Sequence, residues 1–277
     1  MLCNSEECAV KLPGRRRLLY LSRRAVTIGF AIALAAPTAS DAAEIKVLTS
    51  RAMNHVLTEL AGEFQRTSEH KIAIILAPPA EIRRRIVNGE IVDVAMSGGG
   101  IIEDLVQQGR IAPSDRLILA RVGRGVAVRA GAAKPDISSV EAFRRTLLAA
   151  KSIVYTDPAV LGPSTFHFEK VLDRLGIAKE IKAKSILNAR AATTPNAEIV
   201  ARGEAELGIQ LISEIVSVPG AELLGPLPGE LQVMNVISAG IVTTASEPDA
   251  ARVLFKFLTS PAAAAVIKAA GMEPGGS

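Results

Sequence analysis

EIKVLTSRAMNHVLTELAGEFQRTSEHKIAIILAPPAEIRRRIVNGEIVDVAMSGGG, residues 44–100, switches repeatedly between two apolar periods. Glu44 to Ser50 reads as a strand, with Ile45, Val47 and Leu48 as its apolar residues. Across residues 52–68, Met53, Val56, Leu57, Leu60, Ala61 and Phe64 recur at i, i+3, i+4 and i+7, which predicts a helix with one buried face. Lys71 to Ala77 is a second strand. Ala80 to Asn88 is a short helix with Ile82 and Ile86 inward and Arg83, Arg84 and Arg85 mostly outward. Gly89 stops it, since a helix end favours a residue free to take positive φ. Val92 to Ser97 is a third strand, and Gly98-Gly99-Gly100 reads as a tight turn into a helix ending at Gln108. Alternation of this kind predicts a parallel sheet with helices on both faces.

Working outward, Leu117 to Arg129 reads as one long extended run with Gly123 and Gly125 inside it. A second series follows: a helix over 139–150, a strand over 152–156, a loop over 157–163, and a helix with Phe168, Val171, Leu172 and Leu175 on one face. A helix over 195–203 and a strand over 206–210 come next, then a second extended run from Leu231 to Thr243. Ser246-Glu247-Pro248 and Ser260-Pro261 are start signals for two closing helices. Two long extended runs flanking a middle block predict two chain crossings between two lobes. The expected division is an export segment at 1–43, a first lobe from 44–122 and 233–277, and a second lobe from 123–232. A cleft between lobes is a preferred place for a ligand.

Ahead of residue 44 the chain reads differently. Lys11, Arg15, Arg16, Arg17, Arg23 and Arg24 lead into an apolar run from Ala25 to Ala36, with small residues at Ser40, Ala42 and Ala43. That order is a removable export signal, and the run is too short for the roughly 20 residues of a membrane span. The expected cut follows Ala42, and the expected location is the periplasm, by the Sec or the twin-arginine route. From Ala43 onward 26 basic residues face 25 acidic ones, so the basic balance of the whole chain owes much to the signal. No nucleic-acid footprint survives cleavage. Both cysteines, Cys3 and Cys8, precede the apolar run, which excludes a disulfide or thiolate chemistry in the exported chain.

Motifs of catalysis are scarce. His55, His70 and His167 fall in unrelated contexts, without metal-ligand spacing. There is no Gly-x-Ser-x-Gly elbow, and the glycine triplet lacks the spacing and the lysine of a nucleotide loop. Asp157 and Glu169 read as a solvated loop and helix face. Binding signals are stronger. Thr49-Ser50-Arg51, Pro78-Pro79-Ala80, Ser97 and Ser164-Thr165 each sit where a strand gives way to a helix. In open α/β sheets ligands sit beyond the carboxyl ends of strands, and helix N-termini offer unpaired N–H groups to anions.

Several fragments carry a family resemblance: GEIVDVAMS at 89–97, TDPAVLGPSTFHFEKVLDRLGI at 156–177, ARGEAELGIQLISE at 201–214, LGPLPGEL at 224–231, and FLTSPAAAAVIKAAGMEP within 250–274. Through them the chain resembles the solute-binding proteins of ABC importers, in the molybdate-binding-protein-like group. The resemblance implies a two-lobed α/β type II periplasmic-binding-protein fold with two hinge strands crossing between lobes. It also implies a membrane permease as partner and no cofactor. The hydroxyl after strand one corresponds to Ser50, and the second-lobe loop to Gly162-Pro163-Ser164-Thr165-Phe166. Two departures stand out. The loop that usually carries serines is Pro78-Pro79-Ala80, and Leu211 stands where some members have a tyrosine.

The expected function is capture of a small anion, a molybdate-like oxyanion or a small carboxylate, by a monomer that delivers it to an importer. The expected ligand residues are Ser50, Arg51, Ser97, Ser164, Thr165 and Gln210, with Thr194 and Asn196 near a helix start. Arg51 supplies charge for a carboxylate. With no nucleophile–base pair or metal cluster, the chain is expected not to be an enzyme. The rivals are an exported enzyme using the same cleft and a ligand-dependent sensor partner.

Overall fold

The computed structural model describes residues 42–161 and 166–275. The export reading of residues 1–41, and the ligand roles of Ser164 and Thr165, lie outside the described residues.

The first lobe opens with β1 (Glu44–Thr49), α1 (Arg51–Ser68), β2 (Lys71–Leu76), α2 (Pro79–Val87), β3 (Val94–Ser97), α3 (Ile101–Gln107) and β4 (Ile111–Val122). The second contains β5 (Arg124–Arg129), α4 (Val140–Ala149), β6 (Ile153–Thr156), α5 (Pro158–Leu161), α6 (Phe166–Arg174), α7 (Ala178–Lys182), β7 (Ser185–Asn188), α8 (Asn196–Ala201), β8 (Leu207–Leu211), α9 (Ile212–Val216) and β9 (Ala221–Pro226). The chain then returns through β10 (Asn235–Val242), α10 (Pro248–Leu258), α11 (Pro261–Ala269) and β11 (Glu273–Pro274).

Two sheets result, ordered β11-β4-β10-β3-β1-β2 and β7-β6-β8-β5-β9. Within the first, β1 runs parallel to β2 and β3, as the alternation predicts. The sheet is mixed rather than parallel throughout, because β10 pairs antiparallel with β3 and β4. The reason is connectivity: β10 re-enters from the other lobe instead of through a crossover helix. The expected single run from Leu117 to Arg129 is two strands in two sheets, parting at Gly123. A Cβ on Gly123 would lie 2.7 Å from Gln232 Nε2, so a side chain there would push the Gln232 amide off its bonds to Arg124.

Strand alternation sends successive side chains to opposite faces. Val47 and Met96 pack with Met53, Leu57, Leu60 and Phe64 of α1 and with Leu254 and Ile267 of the closing helices. Leu48 and Ala95 pack on the other face with Ile82, Ile86, Ile102 and Leu105. Each such side chain contributes about 1.5–3 kcal/mol by leaving water. In the second lobe Val126, Ile153, Tyr155 and Ile209 face Phe143, Leu147, Phe168 and Leu172. On the opposite face Val154 meets Ile199 and Val200 of α8. Gly208 lets α8 approach, since a Cβ there would meet Val200 Cγ2 at 2.9 Å.

Caps follow the sequence in part. Ser139 Oγ accepts from Ala142 N–H at 3.1 Å, and Ser260 Oγ from Ala263 N–H at 3.2 Å. At α10 the cap residue is Glu247, whose side chain makes no capping bond. The start is held from a distance by Asp93 Oδ1, which accepts from Ser246 N–H at 2.8 Å and Glu247 N–H at 2.9 Å.

Candidate functional site

Strand ends from both sheets converge on one cavity of about 130 Å³. Ser50 and Arg51 follow β1, Ala77-Pro78-Pro79 follow β2, and Gly98-Gly99 follow β3. These are the carboxyl ends of the parallel strands, where the chain must turn into a helix and a ligand finds room. The second lobe contributes Tyr155 and Thr156 at the end of β6, Gln210 and Leu211 at the end of β8, Arg124 at the start of β5, and Glu214 in α9. Asn235 closes the lining from the return strand. Its Oδ1 accepts from Gly99 N–H at 3.1 Å. Gly99 and Gly100 take φ of 67° and 80°, so the glycine triplet is the tight turn its sequence suggests.

Charge in this cavity is concentrated on three side chains. Glu214 lines the wall, deep in the cleft but not sealed from it. Burial pushes its carboxyl up to about 7, against the opposing pull of Arg51 and then of Arg124. The Arg124 guanidinium is held below its ordinary value by burial, opposed by the Glu214 charge. Gln232 fixes the Arg124 backbone: its Oε1 accepts from Arg124 N–H at 2.9 Å and its Nε2 donates to Arg124 C=O at 2.7 Å. One side chain from the returning segment thus sets the height of Arg124 at the crossing. Arg51 reaches across the cleft, where Nη2 donates to the Ala192 carbonyl of the second lobe. Its Nε is buried without a hydrogen-bond partner.

Of the residues singled out from sequence, the structure brings Ser50, Arg51 and Gln210 together around the cavity. Ser50 is the N-cap residue of α1 but makes no side-chain capping bond. Ser97, Thr194 and Asn196 do not line it. Ser97 is buried, and its hydroxyl donates to the Gly98 carbonyl at 3.3 Å. Asn196 is consumed in scaffolding: Nδ2 donates to Ile209 C=O at 2.9 Å, while Oδ1 accepts from Asn188 Nδ2 at 2.8 Å. The same Asn188 amide holds Thr194 through its carbonyl at 2.8 Å. These bonds tie the ends of β7 and β8 to the start of α8.

Arg124, Glu214 and Asn235 are the residues that sequence reasoning missed. No motif marks them. Glu214 stands inside the fragment ARGEAELGIQLISE, four residues after Gln210, but only its place in the cavity wall, in the field of Arg51, sets it apart. Among the described residues no group of three or more potential metal-ligating side chains comes together.

A two-lobed α/β scaffold, with a polar cleft fed by strand ends from both lobes, defines a solute-binding protein. A family model described as bacterial extracellular solute-binding protein matches residues 45–273, and the chain belongs to that family. An aconitate isomerase from a Pseudomonas species is 34% identical over 236 residues, spanning 83% of this chain and 87% of that protein. The molybdate-binding protein ModA of Azotobacter vinelandii is 27% identical over 256 residues, spanning 91% of this chain and 97% of its own length. The solved structure of the Azotobacter vinelandii periplasmic molybdate-binding protein matches with a TM-score of 0.68 at 24% identity, covering 82% of this chain and 98% of that one.

The Pseudomonas relative overturns the expectation that the chain is not an enzyme, because a protein this similar is named for a catalysed reaction. That expectation rests on missing nucleophile–base and metal motifs. Moving a proton needs neither. One carboxylate with a suitable pKa suffices, and no sequence spacing marks it.

Proposed function

We propose that this chain binds a small unsaturated polycarboxylate in its cleft and isomerises it by moving a proton. The observation that carries this reading is Glu214, raised to about 7 in the cavity wall beside Arg51 and Arg124. A general base works best with a pKa near the operating pH, and burial has moved this one there. The guanidinium groups suit a substrate with several carboxylates, since each forms paired bonds to a carboxylate. Pro78, Pro79 and Leu211 put apolar surface where a hydroxyl-lined oxyanion site would need donors. The relationship to the aconitate isomerase supports the same substrate class.

The chemistry is an allylic shift. Aconitate has a CH₂ next to a C=C bond, with a carboxylate on each of the three carbons concerned. The Glu214 carboxylate takes a proton from the CH₂ carbon, and the electron pair delocalises over the three carbons and their carboxylates. Arg51 and Arg124 stabilise that added charge. Protonation of the far carbon by Glu214 places the double bond between the other two carbons. The skeleton is unchanged end for end, and the new double bond is cis or trans. Atoms and charge balance without a cofactor.

A second reading, delivery of the bound anion to the permease of an ABC importer, draws support from the two-lobed fold and the ModA relationship. Both readings have the chain working outside the cytoplasm. Incubating residues 43–277 with trans-aconitate in D₂O and following proton NMR separates them. Appearance of the cis isomer with deuterium in the carbon skeleton is the expected result. Tight binding without exchange or isomerisation overturns the first reading in favour of the second. Absence of binding overturns both.

A further inference from the structure

Gln210 stands at the end of β8 with 6% of its surface exposed, and it lines the cavity. Its Oε1 accepts from the backbone N–H of Ala197, at the start of α8, at 2.9 Å. That bond fixes the amide: turned over, Nε2 would face another donor. Nε2 is therefore held away from α8, and it is buried without a partner. Across the cleft Arg51 Nε is in the same condition. Native proteins leave few buried donors unpaired, and such groups ask for a missing acceptor. Here the two belong to residues of opposite lobes that line one cavity.

We infer that Gln210 Nε2 and Arg51 Nε form a carboxylate subsite that one ligand carboxylate fills, drawing a donor from each lobe. Gln210 is thereby a specificity residue distinct from the proton-transferring Glu214. This rests on the reading of the cleft as a polycarboxylate site. A carboxylate is the fitting occupant because it is acceptor-only and has an oxygen for each donor. The α8 scaffold gives the subsite its rigidity. Asn196 and Asn188 lock the strand ends, and Ala197 N–H locks the amide.

The test is Gln210→Glu, which keeps an oxygen for Ala197 N–H and replaces the unpaired donor with an acceptor. Calorimetric titration of the exported chain with trans-aconitate is expected to show affinity falling roughly tenfold or more. KM should rise while kcat, read at a pH where Glu214 is ionised in both proteins, changes less, since the proton-moving group itself is not replaced. A variant within about twofold of the parent would overturn the subsite. Should Gln210→Glu fail to fold, the parent protein itself gives the answer. The side-chain amide protons of Gln210, followed by nitrogen-edited NMR, are expected to shift when trans-aconitate is added. Unmoved signals on saturation would overturn the inference while leaving the polycarboxylate reading intact. A parent protein that binds neither trans-aconitate nor its saturated tricarboxylate analogue would overturn both.

Discussion

Asp93 in the first lobe is fully buried and Glu214 in the second is partly buried in a cavity wall, and the two carboxyls have opposite lives. Asp93 is 1% exposed, and its carboxylate accepts three backbone N–H bonds, from Lys46 at 2.8 Å, Ser246 at 2.8 Å and Glu247 at 2.9 Å. Those bonds tie β1 to the start of α10, so two segments far apart in the chain meet on one side chain. Glu214 faces a cavity and feels Arg51 and Arg124 through space, with burial outweighing both. A buried carboxylate whose lone pairs are filled is a structural brace. One left facing a cleft, near neutrality, is equipped to take and return a proton.

The largest effect should fall on turnover. Glu214→Gln is expected to lower isomerisation by about 10²–10⁴-fold, the usual worth of a general base, measured by NMR on trans-aconitate. Full activity in that variant would erase the distinction. In the parent protein, kcat/KM should rise with pH through about 7 as Glu214 loses its proton.

Asp93→Ala should strike stability instead, by about 3 kcal/mol or more, because three donors lose one acceptor. Urea unfolding measures it, and a loss under about 1 kcal/mol would remove Asp93 from its bracing role. Asp93→Asn keeps an acceptor for two of the donors and should lie between.

The Glu214 carboxyl also shapes the pH dependence of stability. Its folded value, about 7, lies above the ordinary 4.5, so the folded state holds the proton more tightly than the unfolded chain. This contribution to stability is fully present below about 4.5 and is lost as pH rises through about 7. The decline should be on the order of 2–3 kcal/mol. Glu214→Gln should flatten it and raise the melting temperature at pH 8, a sign opposite to that of Asp93→Ala. The smallest expected effect is Ser260→Ala, which removes the cap on α11 and should cost about 1 kcal/mol. Turnover should stay as in the parent protein.

Much of the first lobe was legible because its residues repeat what local physics demands. The apolar stripe of α1, from Met53 to Phe64, is the buried face of the helix, and Gly89 takes the positive φ of a helix stop. The two crossings were legible as long extended runs with an expected lobe boundary between residues 122 and 123, but the bonds from Gln232 that hold Arg124 at the first crossing, 108 residues away in the chain, were not. In the second lobe β7 gave no sequence signal, since Ile186 and Leu187 are both exposed and break the alternation.

The cavity was half legible. Ser50, Arg51 and Gln210 announced themselves by position after strands, because the carboxyl ends of strands are where such sheets open. Ser97, Thr194 and Asn196 occupy similar positions, yet their side chains or carbonyls are spent on the scaffold. Which of two similar residues faces the cleft depends on side-chain partners, and local sequence carries no record of them. Period and punctuation in the chain itself determined most of the elements and the two-lobed α/β class, because those follow from backbone geometry and burial over short spans. Only tertiary structure decided that Glu214 feels Arg51 and Arg124 through space, and that Gln210 Nε2 is left without a partner. The field on a carboxylate and the partner of an amide are set by groups distant in sequence and close in space.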